Sequence, residues 1–318
     1  METLHIACCT DSHYLKYCLT MLLSLSEQHI GEDVHVHILG NGLSDSEIGL
    51  LHESSGFPHS AITHYSLDGA TLKKLPQGIY NYISPTTYAR LFLSEILPKE
   101  LHRVIYLDCD LIVVDSLRPL WEYDLQEAEI GAVEDCGSGD LALYQRLKMT
   151  GKHPYFNAGV LLIDLNKWRN TYFIDRALEY IKNNASHLIY ADQDVLNVLC
   201  EGKTCYLPFR FNLYEPLLRK KIPFIRREAL PTIPEARNLP AVIHFTYVHK
   251  PWYYRCCHPY NALFYHYFDR TPWKGERPTP TWRDRLYRWA WLTAARFHLV
   301  NIYMPLPEKM KSKMQIME

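Results

Sequence analysis

Two apolar runs, each followed by a turn and then by a stretch with helical spacing, constrain this chain more than any other feature. Residues 4–9 (LHIACC) lead through Thr10-Asp11-Ser12 into 14–29, where Leu15, Cys18, Leu19, Leu22 and Leu25 recur on one helical face. Residues 34–39 repeat the pattern. Gly40-Asn41-Gly42 turns the chain, and Ser44 with Glu47 three residues on carries the capping-box signature of a second helix. Alternating strands and helices predict an α/β fold: a Rossmann-like, mostly parallel sheet covered by helices on both faces.

Further strands are expected at 61–65, 103–107 (RVIYL), 130–133, 158–165 and 241–245. Helices are expected at 86–97, closed by Pro98, and at 192–200, with Asp192 near the cap. Residues 69–84 read as a looser segment. Prolines at 208, 216, 223, 231, 234 and 240 break the pattern before the last strand.

A change in composition near residue 270 divides the chain into a 1–270 domain and a 271–318 extension rich in basic and aromatic residues. Within the extension, 282–298 reads as an amphipathic helix with Trp282, Leu286, Trp289, Thr293 and Phe297 on one face. That face suits either an anchor on an anionic membrane surface, where each basic residue contributes about 1 kcal/mol, or a helix packed on the main domain. The formal charge of -1 gives no ground for nucleic-acid binding. It hides a split, with 14 basic and 26 acidic side chains in residues 1–200 against 20 and 9 in 201–318. Nine cysteines without a CxxC spacing fit a reducing compartment. The opening residues have no signal-peptide pattern and no window approaches 18 apolar residues, so a cytoplasmic location is expected, peripheral on the inner face of the membrane.

The chemistry concentrates at Asp108-Cys109-Asp110, directly after the RVIYL strand. If the extended geometry continued, both carboxylates would share one face, roughly 6.6 Å apart. Two such charges repel by about 2.5 kcal/mol at an effective dielectric near 20. A divalent cation relieves that repulsion, although the tripeptide alone also suits a solvated loop. His244, at the end of another apolar run, offers an imidazole ligand, and Lys250 an ammonium for a diphosphate. Oxygen donors plus one imidazole suit Mn²⁺ or Mg²⁺.

Taken in order, Thr10-Asp11-Ser12-His13-Tyr14, Ser84-Pro85-Thr86-Thr87-Tyr88-Ala89-Arg90, Tyr106-Leu107-Asp108-Cys109-Asp110, Tyr155-Phe156-Asn157-Ala158-Gly159-Val160, Asp192-Gln193-Asp194 and His244 through Trp252 resemble glycosyltransferase family 8. Among its members the pattern looks most like the bacterial enzymes that add galactose or glucose to the lipopolysaccharide or lipooligosaccharide core. The resemblance implies a GT-A fold, a UDP-sugar donor (UDP-glucose or UDP-galactose), Mn²⁺ or Mg²⁺, and transfer to a lipid-linked saccharide acceptor with retention at the anomeric carbon. It implies metal ligation by Asp108, Asp110 and His244, and a diphosphate contact by Lys250. Asp11 matches a carboxylate that reads the uracil edge, and Tyr14 an aromatic that stacks on the base. Arg90, Asn157, Asp192 and Gln193 match positions that contact the donor sugar and its phosphates. Asp135 matches one that faces donor sugar and acceptor. His13 and Tyr82 depart from the family pattern.

Retention requires either two inversions, with Gln193, Asp192 or Asp135 as nucleophile, or front-face attack. The weakness of Gln193 as a nucleophile favours the second. Two other functions share parts of this pattern, a nucleotide-sugar pyrophosphorylase and an inactive UDP-binding protein. The first is disfavoured because Thr10-Asp11-Ser12 is not a Gly-rich phosphate loop.

Overall fold

The computed structural model describes residues 2–67, Leu75 and 85–316. Most of 69–84, including Tyr82, lies outside the described residues. The strands are β1 (Leu4–Asp11), β2 (Val34–Asn41), β3 (Ile62–Ser66), β4 (Arg103–Leu107), β5 (Leu111–Val113), β6 (Ile130–Glu134), β7 (Phe156–Asp164), β8 (Thr204–Tyr206), β9 (Leu213–Tyr214) and β10 (Val242–His244). Seven of them form one sheet in the order β3-β2-β1-β4-β7-β6-β8, and β5-β10-β9 form a small second sheet. In the large sheet β3, β2, β1 and β4 pair in parallel, as the strand–helix alternation requires. Strand β7 departs from this and runs antiparallel to both β4 and β6. The link from β6 to β7 returns at the same end of the sheet instead of crossing over it, so the pair is antiparallel.

Helix α1 (Leu15–Gln28) buries Leu15, Cys18, Leu19, Leu22 and Leu25, the face its spacing picks out. Helix α2 (Asp45–Ser54) starts with the expected box: Glu47 N–H donates to Ser44 Oγ, and Ser44 N–H to Glu47 Oε2 at 2.8 Å.

Two local expectations give way to tertiary structure, and a third, the helix from 192, forms with Asp192 one place past the cap. Residues 86–97 do not form one α-helix; a 3₁₀ stretch, Pro85–Phe92, leads into a single α-turn, Leu93–Ile96. Leu97 is extended at ψ 150°, as a residue before proline tends to be. Beyond β4 the backbone bends at 109–110 rather than continuing as a strand, so Asp108 and Asp110 are not related by simple alternation. Ala191, at φ 49°, takes the cap position of the helix Asp192–Leu199, and Asp192 becomes its first residue. A cap accepts backbone N–H groups, whereas the Asp192 carboxylate is pulled away by Arg90 and Thr87.

The C-terminal segment folds back on the body. The helix Trp282–Arg296 opens with a second capping box, Thr281 with Asp284. Tyr303 bridges to Arg219, Met304 N–H donates to Leu218 O at 2.8 Å, and Met310 in the helix Glu308–Ile316 is buried.

Candidate active site

A cavity of about 630 Å³ opens at the carboxyl ends of β1 and β4, where open α/β sheets bind nucleotides. All eleven residues singled out from the sequence line it: Asp11, Tyr14, Arg90, Asp108, Asp110, Asp135, Asn157, Asp192, Gln193, His244 and Lys250.

The centre is built by a bend and a strand end. Asp108 and Asp110 flank the bend after β4, and His244 closes β10, which pairs antiparallel with β5 so that His244 lies opposite Leu111. One ligand atom from each of Asp108, Asp110 and His244 falls within 4.8 Å of the others. His244 Nε2 stands 3.2 Å from Asp110 Oδ1 and 3.9 Å from Asp108 Oδ2.

A chain of hydrogen bonds sets the protonation of that imidazole. Gly159 N–H donates to Asn157 Oδ1 at 3.0 Å, which fixes Asn157 Oδ1 as an acceptor. Asn212 therefore faces it with Nδ2, at 2.8 Å, and turns Oδ1 towards His244 Nδ1 at 2.9 Å. Nδ1 then carries the proton, and Nε2 presents a lone pair to the two carboxylates. Acceptors facing one another this closely repel unless a cation or proton lies between them. Two hard oxygens and one imidazole nitrogen are the donor set of Mn²⁺ or Mg²⁺, so the residues fit such an ion. Gly159 makes the space: a Cβ there would lie 2.1 Å from His244 Cε1 and 3.0 Å from Asp108 Oδ2. Lys250 pairs with Asp110 Oδ2, and although burial opposes ionisation, the Lys250 ammonium holds the Asp110 carboxyl far below its usual range.

Arg90 is the strut of the site. It is buried, pairs with Asp108 Oδ1 at 2.7 Å and Asp192 Oδ2 at 2.8 Å, and donates to Ala158 O at 2.6 Å. Its guanidinium lies 4.3 Å from the Tyr106 ring centre, and Tyr106 Oη donates to Asp108 Oδ1 at 2.9 Å. Burial works against the Arg90 charge, but Asp108 and Asp192 outweigh it and raise its pKa. Burial also raises Asp192 to about 6, against the pull of Arg90 and of Thr87, whose hydroxyl donates to Asp192 Oδ1 at 2.6 Å.

The other candidates are held in place by named partners. Gln193 Oε1 accepts Ala158 N–H at 3.0 Å, and Asp135 accepts Gly137 N–H at 2.8 Å and Asn157 Nδ2 at 3.0 Å. Burial raises the Asp135 pKa. Asp11 Oδ1 accepts the N–H groups of His13 and Tyr14, and Oδ2 accepts Thr86 Oγ1 at 3.0 Å. Tyr14 meets Trp252 edge-on at 6.1 Å, and Trp252 stacks on Tyr17 at 3.6 Å.

Sequence reasoning missed Asn212, Thr87 and the Arg146–Asp194 pair that secures the start of the Asp192–Leu199 helix. Tyr106 could have been found, because strand alternation places it on the face of Asp108.

A family model described as Glycosyl transferase family 8 matches residues 5–256. General stress protein A of Bacillus subtilis (strain 168) is 28% identical over 282 residues, covering 86% of this chain and 95% of that protein. Lipopolysaccharide 1,2-glucosyltransferase of Escherichia coli (strain K12) is 27% identical over 282 residues, covering 87% and 81%. Among solved structures, the galactosyltransferase LgtC in complex with donor and acceptor sugar analogs superposes with a TM-score of 0.73 at 27% identity. The match covers 89% of this chain and all of that one.

Proposed function

The chain belongs to glycosyltransferase family 8 and has a GT-A type fold, and from that premise we propose that it is a metal-dependent, retaining hexosyltransferase. It moves glucose or galactose from a UDP-sugar to a saccharide acceptor, of the lipopolysaccharide core type. The observation that carries this reading is the convergence of Asp108, Asp110 and the Nε2 lone pair of His244 at the carboxyl ends of β1 and β4.

The chemistry asks for a sugar hydroxyl to displace UDP at the anomeric carbon, through a transition state in which the diphosphate gains negative charge. Mn²⁺ or Mg²⁺, held by Asp108, Asp110 and His244, supplies charge neutralisation at that leaving group. Lys250 adds an ammonium beside it, and both effects are larger in the transition state than in the bound substrate. Asp11 at the cavity wall would face a base edge, and Tyr14 offers a ring for the base face. Arg90 acts behind this layer by holding Asp108 and Asp192 in register.

For retention, none of the candidate nucleophiles stands free. Asp192 is clamped by Arg90 and Thr87, Asp135 by Gly137 and Asn157, and Gln193 is an amide bound to Ala158. Front-face attack, with the departing phosphate taking the acceptor proton, asks least of these groups. Incubation with UDP-glucose and UDP-galactose, with and without Mn²⁺, tests the reading through UDP release and the anomeric configuration of the product. Metal-independent turnover, or near-normal turnover in Asp108→Asn, refutes the metal's role; a trapped glycosyl-protein refutes front-face attack.

The extension from residue 271 is proposed to rest on an anionic membrane surface, which would bring a lipid-linked acceptor to the cavity. The helix Trp282–Arg296 is tied to the body through Asp284, paired with Arg255 at 2.7 Å. Its apolar side faces outward: Trp282, Leu286, Trp289 and Phe297 are more than half exposed. Arg283, Arg285 and Arg296 are exposed alongside. No helix of the described residues is long and apolar enough to cross a membrane. Truncation would uncover the core under Met310, so the test is a triple variant, Trp282→Ser, Trp289→Ser and Phe297→Ser. Sedimentation with vesicles containing phosphatidylglycerol should fall at least tenfold, and unchanged sedimentation removes the proposal.

A further inference from the structure

Between the two site carboxylates stands Cys109, and its neighbours are unusual for a thiol. The sulfurs of Cys8 on β1, Cys18 on α1 and Cys109 in the bend lie within 4.8 Å of one another. Cys8 Sγ and Cys18 Sγ are 3.8 Å apart, and Cys109 Sγ lies 3.2 Å from the carbonyl oxygen of Cys9. All three residues are buried in the main apolar core, with Leu15, Leu19, Leu107 and Leu111 in the same cluster.

We propose that Cys8, Cys18 and Cys109 form a binding site for a soft, thiophilic divalent cation of the zinc and cadmium class, separate from the oxygen-rich centre beside it. Three sulfurs at about 2.3 Å from one ion, in trigonal or tetrahedral geometry, lie about 3.8–4.0 Å apart. Cys8 and Cys18 already have that spacing, and Cys109 Sγ lies within 4.8 Å of both before any ion enters. Ligand type separates the two sites: sulfur selects soft ions, whereas the two carboxylates and one imidazole of the neighbouring centre suit Mn²⁺ or Mg²⁺. An apolar shell favours the complex of least net charge, which a divalent ion gives with thiol protons released to solvent. Cys9 and Cys109 both line the cavity, which gives an ion a route inward. Once bound, the ion ties the bend that carries Asp108 and Asp110 to β1 and α1, so one tripeptide serves a hard site and a soft site.

The test uses the fully reduced chain without nucleotide, in a background where the partly exposed Cys136, Cys205 and Cys257 are serine. Titration with Cd²⁺ is followed by the sulfur-to-cadmium charge-transfer absorbance. One equivalent should saturate the band. Cys18→Ala and Cys109→Ala, with folding checked by circular dichroism, should each weaken binding at least tenfold, whereas Asp108→Asn should leave the band intact. Cadmium NMR of the background protein needs no cluster variant and should report three sulfur ligands. A spectrum dominated by oxygen and nitrogen ligands, or a band of full strength in either folded alanine variant, overturns the proposal. None of these readouts depends on transfer activity, so its failure is distinct from that of the proposed reaction.

Discussion

Replacing Asn212 with alanine isolates the contribution of imidazole orientation to the Asp108–Asp110–His244 centre. Asn212 is fully buried and joins two polar groups, accepting from His244 Nδ1 at 2.9 Å and donating to Asn157 Oδ1 at 2.8 Å. The substitution strands the His244 N–H, and a buried donor without an acceptor costs about 1–3 kcal/mol. Asn157 Oδ1 keeps its Gly159 N–H, so its loss is smaller, about 1 kcal/mol. The stability expected to disappear is therefore about 2–4 kcal/mol, read by urea unfolding. Ion binding should suffer separately, because the ring is no longer held with Nε2 towards the carboxylates. Partners of ligating histidines are worth roughly 10–100-fold in affinity, or about 1.4–2.7 kcal/mol. Mn²⁺ affinity is measured with UDP present, from the electron paramagnetic resonance signal of the free ion. Asn212→Asp keeps an acceptor for His244, so most of the affinity should return, but it sets a buried carboxylate oxygen against Asn157 Oδ1 where a donor stood, so little of the stability should. Equal Mn²⁺ affinity in wild type and folded Asn212→Ala would refute the tautomer argument.

Three further outcomes follow from the same geometry. Arg90→Met leaves the buried Asp192 and the half-buried Asp108 without their cation and should lower unfolding free energy by about 3–5 kcal/mol in urea; a loss below about 1 kcal/mol would contradict the strut role. Gly159→Ala should push His244 off the centre and abolish Mn²⁺ binding while the far-ultraviolet circular dichroism stays native, and wild-type affinity would count against it. His37 and His258 are pushed down to about 3, chiefly by burial, with His35 and His5 adding at His37, and Arg219 and His244 at His258. Below about pH 6.5 the unfolded chain takes up protons that these folded rings refuse, so stability present above that pH is lost as pH falls towards 3. At pH 5 each contributes a loss of about 2 kcal/mol, and His258→Gln should flatten the pH 7 to 5 slope by that amount in chemical denaturation; an unchanged slope would refute the assignment.

Local rules succeeded wherever one short stretch decides the outcome. The apolar run of β1, the buried face of α1 and the Ser44–Glu47 box each depend on neighbours within a few residues, and each forms as the pattern requires. They failed where a distant partner competes for the same side chain. Asp192 has the chemistry of a cap, yet Arg90 and Thr87, more than a hundred residues away in the chain, take its carboxylate. The tripeptide of Asp108 is legible as chemistry but not as geometry. Alternation would set both carboxylates on one face, whereas burial of Cys109 in the core accompanies a bend that aims them at His244. Asn212 gives no signal at all, because it lies 32 residues from His244 in a proline-broken stretch that only β9–β10 pairing brings alongside. The residues proposed to touch ligand are thus the visible ones, many of them charged and set near strand ends. Those that decide their protonation and direction are ordinary polar residues placed by sheet topology, above all the antiparallel β7, which carries Asn157 and Gly159 into the centre. A substitution that preserves every ligand but shifts β7 against β4 should therefore abolish ion binding as completely as loss of a ligand.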